Sequence, residues 1–399
     1  MNYFSPSSLP TKATLLLVST LTVMAGATIA PSLPAMQEQF AQVNNAGLWV
    51  RLVLTLPALF IVIGSPIAGT IVDRLGRKPL LAVAVALYGL AGASGYLLNS
   101  LFHILVGRAI LGLAVAGIMV TATTLIADYY LGSARAAFLG LQAAFMGLGG
   151  VVFLSLGGFL ADRNWRFPFL IYLFAWLLLP LIILTITEPQ RNIPSPSHNN
   201  PSAAPAAFPV KLLAFVYSVA LITQIVFYLI PVQLPFYLKE LSNANASQSG
   251  IAIALVTLFS AIASLTYGRI KQRMGFFTII TLALGLIGVG CSIIGLVNNY
   301  GLVLIGLAIA GAGFGLLIPN MNSWVSAEVS DAVRGRALGG ATSFLFFGQF
   351  LSPLVSQPLS YVVGLGTTYT LAGVFMLVCG LLLMAFQRSI CRLISTKAA

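Results

Sequence analysis

The chain has 399 residues, 59% of them hydrophobic and only 7% charged, with a formal net charge of +12. A soluble chain carries about a quarter of its residues as charges, so that class is excluded, together with disordered, collagen-like and disulfide-built secreted chains. A bilayer span takes roughly 20 apolar residues, so a chain of this length has room for about a dozen.

In chain order the apolar stretches fall at 13–34, 47–71, 79–98, 101–126, 136–160, 167–187, 211–237, 249–268, 276–297, 301–326, 337–362 and 369–386. Backbone groups in hydrocarbon must be satisfied within the segment, and these runs are too long for barrel strands, so each is read as a helix. The first follows Lys12 and could pass for a signal peptide, but it is longer than such a core and reads as a retained span. An all-α integral membrane fold of twelve transmembrane helices follows. Fifteen of the twenty Lys and Arg residues then fall in the termini and in the loops on the same side as the termini. Four, Arg51, Arg163, Arg166 and Lys239, fall on the other side. The positive-inside rule places the termini in the cytoplasm, so the +12 is a topology signal and not a nucleic-acid footprint.

The longest loop, Glu188 to Pro209, is rich in Pro, Ser and Asn and reads as an uncompacted linker holding His198. It divides the chain into 1–187, a linker at 188–210, and 211–399. Three echoes cross it at nearly one offset. Ala30-Pro31-Ser32-Leu33-Pro34 pairs with Ile230-Pro231-Val232-Gln233-Leu234-Pro235, Gly69-x3-Asp73-Arg74-x-Gly76 with Gly268-x3-Gln272-Arg273-x-Gly275, and Gln190-Arg191 with Gln387-Arg388. A duplicated six-helix unit predicts two pseudo-symmetric bundles with a binding cavity between them near the midplane.

The loop Gly69-x3-Asp73-Arg74-x-Gly76-Arg77-Lys78 carries in full the G-x3-D-R-x-G-R-K signature that resembles the major facilitator superfamily. Arg108-x2-Leu111-Gly112-x4-Gly117 and Trp165-Arg166-Phe167-Pro168-Phe169 are similar to signatures of its twelve-span drug:proton antiporter branch. The resemblance implies a gate at the cytoplasmic helix ends. Asp73 would face the start of helix 11, expected after Arg334 and Arg336, and Arg77 would pair with Asp128. Two departures stand out. The fifth-helix signature survives only as Gly149-x3-Phe153-Leu154-x2-Gly157-Gly158, without its Gly-Pro core, and none of the eight acids falls at mid-membrane.

Physical chemistry supplies the remaining candidates. Arg108 is the one ionisable residue deep within a span, expected to face the cavity, with snorkelling as the alternative. Gln142, Gln224, Tyr228, Asn320 and Gln349 would lose hydrogen bonds if they faced lipid, so they should face the bundle interior as substrate contacts or interhelical glue. Phe145, Phe227, Phe344, Phe346 and Phe347 could line a site, although packing is the ordinary role for each. Gly112, Gly117, Gly149, Gly157 and Gly158 are read as helix-packing positions.

Cys291, Cys379 and Cys391 make no C-x-x-C and no zinc spacing, and no metal, cofactor or catalytic residue is expected. A membrane-embedded enzyme would need clustered His, Asp or Glu, but His103 and His198 lie far apart. No phosphate-binding P-loop is present, and a membrane sensor would need a larger cytoplasmic surface than this linker offers. The expectation is an inner-membrane exporter of small amphiphilic compounds, a proton-coupled multidrug-type antiporter acting as a monomer in the lipid bilayer. The alternative is export of an endogenous metabolite such as a siderophore.

Overall fold

The computed structural model describes residues 8–189 and 209–387; His198, Arg191, Cys391, most of the expected linker and the basic C-terminal residues lie outside the described residues. Among the described residues, twelve helices are long and apolar enough to cross a membrane. They are α1 (Leu9–Gln39), α2 (Ala46–Leu75), α3 (Arg77–Tyr96), α4 (Leu101–Tyr129), α5 (Gly132–Ala161), α6 (Phe167–Thr185), α7 (Val210–Ser242), α8 (Ala246–Lys271), α9 (Phe276–Leu296), α10 (Tyr300–Glu328), α11 (Asp331–Val363) and α12 (Leu365–Ala385). Large apolar side chains such as Leu90, Leu177, Leu265 and Leu381 are exposed around the outside, as hydrocarbon contact demands.

Several helices outrun the apolar stretches, because polar turns at their ends stay helical beyond the hydrocarbon. Helix α11 starts at Asp331, with Ser330 at the N-cap position, so Arg334 and Arg336 lie inside its first turns and not before it. The two proline echoes also diverge. In α1, Pro31 and Pro34 stand three apart, and the helix breaks after Ala27 into a 3₁₀ turn at Ala30–Ser32 before resuming at Leu33. A three-residue spacing suits the 3₁₀ period. In α7, Pro231 and Pro235 stand four apart within one uninterrupted helix.

The packing repeats with a shift of six helices. Helix α2 packs on α4, α3 on α4 and α6, and α1 on α5; correspondingly α8 packs on α10, α9 on α10 and α12, and α7 on α11. The duplicated unit is therefore present as two equivalent bundles. They meet along two seams, α5 against α8 and α2 against α11.

Small residues set how closely these helices approach. A Cβ on Gly112 would lie 2.4 Å from the Pro57 carbonyl oxygen of α2, and one on Gly117 would lie 2.9 Å from Ala84 Cβ of α3. On α5, Gly149 and Gly157 abut Thr20 and the Thr28 carbonyl of α1, while Gly158 faces α8. Gly158 and Gly250 oppose each other directly: a Cβ on the first would meet Ala246 O at 2.7 Å, and one on the second would meet Leu154 O at 2.7 Å. Gly140, on the same helix α5, has nothing within 4 Å of an added Cβ.

Gly158→Val should therefore cost about 1–3 kcal/mol by overpacking the seam. Gly140→Val should have little effect. Thermal melting of the two purified variants in one detergent checks this, and equal melting temperatures would refute the seam's role.

Candidate substrate cavity and its gates

Between the two bundles lies a cavity of about 290 Å³. The first bundle contributes Thr22, Gly26, Leu54, Pro57 and Met146 among others, and the second contributes Phe227, Tyr228, Pro231, Thr257 and Gln349. Tyr228 reaches across it, its hydroxyl 2.7 Å from where a Cβ on Gly26 would stand. A larger groove of about 600 Å³ lies among α3, α4 and α6, with His103 and Trp176 in its walls. Its rim residues Leu90 and Leu97 are exposed on the outer face of one bundle, so it opens away from the interface between the bundles.

The ends of the cavity differ. At the end away from the basic loops the bundles are hydrogen-bonded together. Arg51 of α2 is 4% exposed. Its Nε donates to Gln233 Oε1 of α7 at 2.8 Å, and its Nη1 donates to Gln37 and to the Gly47 carbonyl. The guanidinium also lies over the Phe236 ring at 3.8 Å. Gln233 passes the contact on to Ser356 of α11 at 3.0 Å. Glu38 of α1 pairs with Lys239 of α7 at the same end.

Asp162, just after α5, completes the seal by capping a helix of the other bundle. Its carboxylate accepts from the backbone N–H groups of Ala246 at 2.7 Å and Ser247 at 3.2 Å, and from the Ser247 hydroxyl. The next two amides of α8, those of Gln248 and Ser249, are taken by Asn245 itself. The first four amides of α8 are thus all satisfied, two of them from across the seam, where the helix dipole adds attraction for the carboxylate.

At the basic end the helices stand apart. Added Cβ atoms on Gly69, Gly140, Gly268, Gly335 and Gly339 would all meet open space. Asp73 is exposed and forms no ion pair among the described residues. Arg77 Nε pairs with Asp128 Oδ2 at 3.1 Å, a contact within the first bundle. Glu188 accepts the backbone N–H groups of Arg77 and Lys78 at 2.7 and 2.8 Å, capping α3, and Lys78 Nζ donates to the Ile183 carbonyl at 2.6 Å. Gly76 turns the loop at φ +98°, where a Cβ would lie 2.8 Å from Glu188 Oε1.

The profile of the Major Facilitator Superfamily matches residues 15–243 and again 216–390. The chain belongs to the major facilitator superfamily. It is 25% identical over 353 residues to the class H tetracycline resistance protein of Pasteurella multocida, covering 86% of each chain. Multidrug resistance protein 1 of Bacillus subtilis is 26% identical, covering 80% of this chain and 82% of its own. The bacillibactin exporter of the same species is 27% identical, covering 82% and 84%. Among solved structures, the inward open conformation of the xylose transporter XylE from E. coli superposes with a TM-score of 0.74 at 16% identity, covering 94% of this chain and 95% of that one. The protein is thus a membrane transporter by family and fold, and not an enzyme.

Within this superfamily fold, two of the six expected cavity residues, Tyr228 and Gln349, line the central cavity. Gln224 borders a smaller pocket of about 70 Å³ inside the second bundle. Gln142 joins α5 to α1 through Ser19 Oγ at 2.8 Å. Asn320 is fully buried, donating to the Phe276 carbonyl and meeting Tyr267, so it is glue between helices. Of the aromatic candidates, Phe227 and Phe346 line the cavity.

Arg108 corrects the expectation of a cavity-facing cation, and it does not snorkel. It is 1% exposed and sits within the first bundle. Its guanidinium donates to Tyr172 Oη at 3.0 Å and to the Gly92 carbonyl at 3.3 Å, and lies over the rings of Phe169 and Tyr172. The two antiporter signatures therefore meet in space, Arg108 of α4 resting on Phe169 of the α6 entry. Helix α4 is apolar on every face, so its sequence showed the depth of Arg108 and not its direction. Arg51, Gln233, Asp162 and Glu188 were not singled out as site residues. For Asp162 and Glu188 the available signal was an acid beside the start of another helix, legible only once the helices are placed.

A lysine cannot span both rings and both acceptors around Arg108. Arg108→Lys should melt lower, by about 1–3 kcal/mol from unmet buried partners, whereas the similarly sized Arg108→Met, which removes the buried charge, should melt close to wild type. Thermal melting of both variants decides it; equal loss in both would point to a need for charge at this position.

Proposed function

We propose that this protein exports small amphiphilic compounds by alternating access, the two bundles rocking about the cavity. The observation that carries the reading is the cavity itself, lined by both bundles, sealed at one end and open at the other. The basic residues at the open end support a cytoplasmic side for that end and for both termini, with the protein in a bacterial inner membrane. One relative is named a bacillibactin exporter and two are named tetracycline and multidrug resistance proteins, which supports export over uptake.

The reverse state would break the seal and close the basic end. Asp73 then takes the place at the start of α11 that Asp162 occupies here at the start of α8, with Gly69 giving the close approach. The Arg77–Asp128 pair and Glu188 hold the loop ready for that contact. Proton coupling rests on these helix-end acids, because protonation removes the charge that the facing helix start attracts. Asp162 is exposed to protons on one side of the membrane, Asp73 and Asp128 on the other. The second reading, a siderophore as cargo, is favoured by the bacillibactin relative; direct binding of an anion to Arg108 is no part of it, since that residue is out of reach.

Export is tested in vesicles of inverted orientation, which should take up labelled drugs under an imposed proton gradient. Equal uptake with and without the protein, across a panel of compounds, would end the reading. The seal gives a separate test. Arg51→Ala strands Gln233 and Gln37, a loss of about 1–3 kcal/mol, and each 1.4 kcal/mol shifts a two-state population about tenfold. With Thr257→Cys placed in the cavity, on a background lacking Cys291, Cys379 and Cys391, Arg51→Ala should raise labelling by an impermeant thiol reagent from outside. Unchanged labelling would remove Arg51 from the gate.

A further inference from the structure

The cavity's polar groups are hydroxyls and one amide, supplied by Thr22, Tyr228, Thr257 and Gln349. Among the described residues, no carboxylate or imidazole lines it. All eight acids of the chain stand at helix ends or in connecting segments. The charges set deep beside the cavity are both positive. Arg51 closes its far end, one helical turn beyond the lining residue Leu54. Arg108 stands one residue behind the wall: its guanidinium donates to Tyr172 Oη, which in turn donates at 3.2 Å to the carbonyl of Ala25, a lining residue.

An arginine cannot be neutralised by losing its proton, and neither of these two forms an ion pair among the described residues. Glu240, near the end of α7, lies close enough to Arg51 to offset part of its charge, and the remaining field of the two guanidiniums reaches the cavity through a medium that screens far less than water. A cation entering it sheds hydration, finds no carboxylate, and meets two fixed charges of its own sign. The attraction of the Phe227, Tyr228 and Phe346 faces for a cation is too small to offset that loss. An uncharged aromatic molecule keeps the ring contacts and the hydroxyl and amide partners, and an anion gains the field as well.

We infer that the cavity selects aromatic amphiphiles that are uncharged or anionic and rejects organic cations. The inference rests on the export reading and narrows its substrate class.

The test uses inverted vesicles carrying the full chain and three labelled probes: chloramphenicol, uncharged; nalidixate, an anion; and tetraphenylphosphonium, a cation. Protein-dependent uptake of the first two is expected, with tetraphenylphosphonium lower by at least about tenfold, the discrimination that 1.4 kcal/mol provides. Gln349→Glu places a carboxylate in the cavity with almost no change of shape and should admit tetraphenylphosphonium. Thr257→Asp does the same from α8, should the first variant fail to insert. Uptake of tetraphenylphosphonium equal to that of chloramphenicol by the unaltered protein would overturn the inference while leaving export standing. So would its continued exclusion by both acid variants when they still move chloramphenicol. Uptake of none of the three by correctly inserted protein would instead bring down the export reading, and this inference with it.

Discussion

Hydrocarbon offers no hydrogen bonds, and every polar group carried into it must find a partner within the chain. Helices settle the backbone, and the side chains then follow the same rule with few exceptions. Tyr88 donates to the Leu21 carbonyl, Tyr369 to that of Leu229, and Tyr237 to that of Ile294. Arg108 is held by the same economy: one hydroxyl, one carbonyl and two aromatic faces take the place of water around a permanent charge. Such contacts bind the helices within each bundle to one another.

Between the bundles the rule produces a different design. The seams are made of glycines and apolar contact, as at Gly158 and Gly250, which can part without stranding a buried polar group. The polar contacts that cross sit at the ends, where water can replace a lost partner. Asp162 on the start of α8 is the clearest case, and it casts light on the superfamily's loop motif. Helices α2 and α5 occupy equivalent places in oppositely oriented three-helix units, as do α8 and α11. An acid at the end of α5 capping α8 on one side is the inverted counterpart of an acid at the end of α2 facing α11 on the other. In the structure the helix-start amides and dipole stabilise the Asp162 site, while Asp73 is exposed. Under the proposed rocking, the two ends would compete through chemically similar latches, and a few kcal/mol between them would be enough to set which end is open.

The polar residues within the spans show how far a linear pattern reaches. Gln142, Gln224, Tyr228, Asn320 and Gln349 are all directed into protein and away from open lipid, as their desolvation cost requires. Their division between cavity and glue depended on which neighbour each helix face met. Tyr228 and Gln349 lie on faces of α7 and α11 that turn toward the opposite bundle, whereas Asn320 lies on the face of α10 that turns to α8 and α9.

The sequence by itself determined the class, the number of spans, the duplication and the family, because these rest on hydropathy, charge placement and motif spacing, which are properties of the chain in one dimension. The resemblance carried by the loop motif also implied the Arg77–Asp128 pair, which forms beside the loop after α2. Only the tertiary structure decided the direction of Arg108, the seal made by Arg51, Gln233 and Asp162, and the entry of Glu188 into the loop cluster. The side-chain contacts that carry them join residues from 64 to 182 positions apart. A helix that is apolar on all faces carries no mark of which side meets which neighbour. Where the surrounding medium is as apolar as the protein's own interior, that azimuth is set by packing alone.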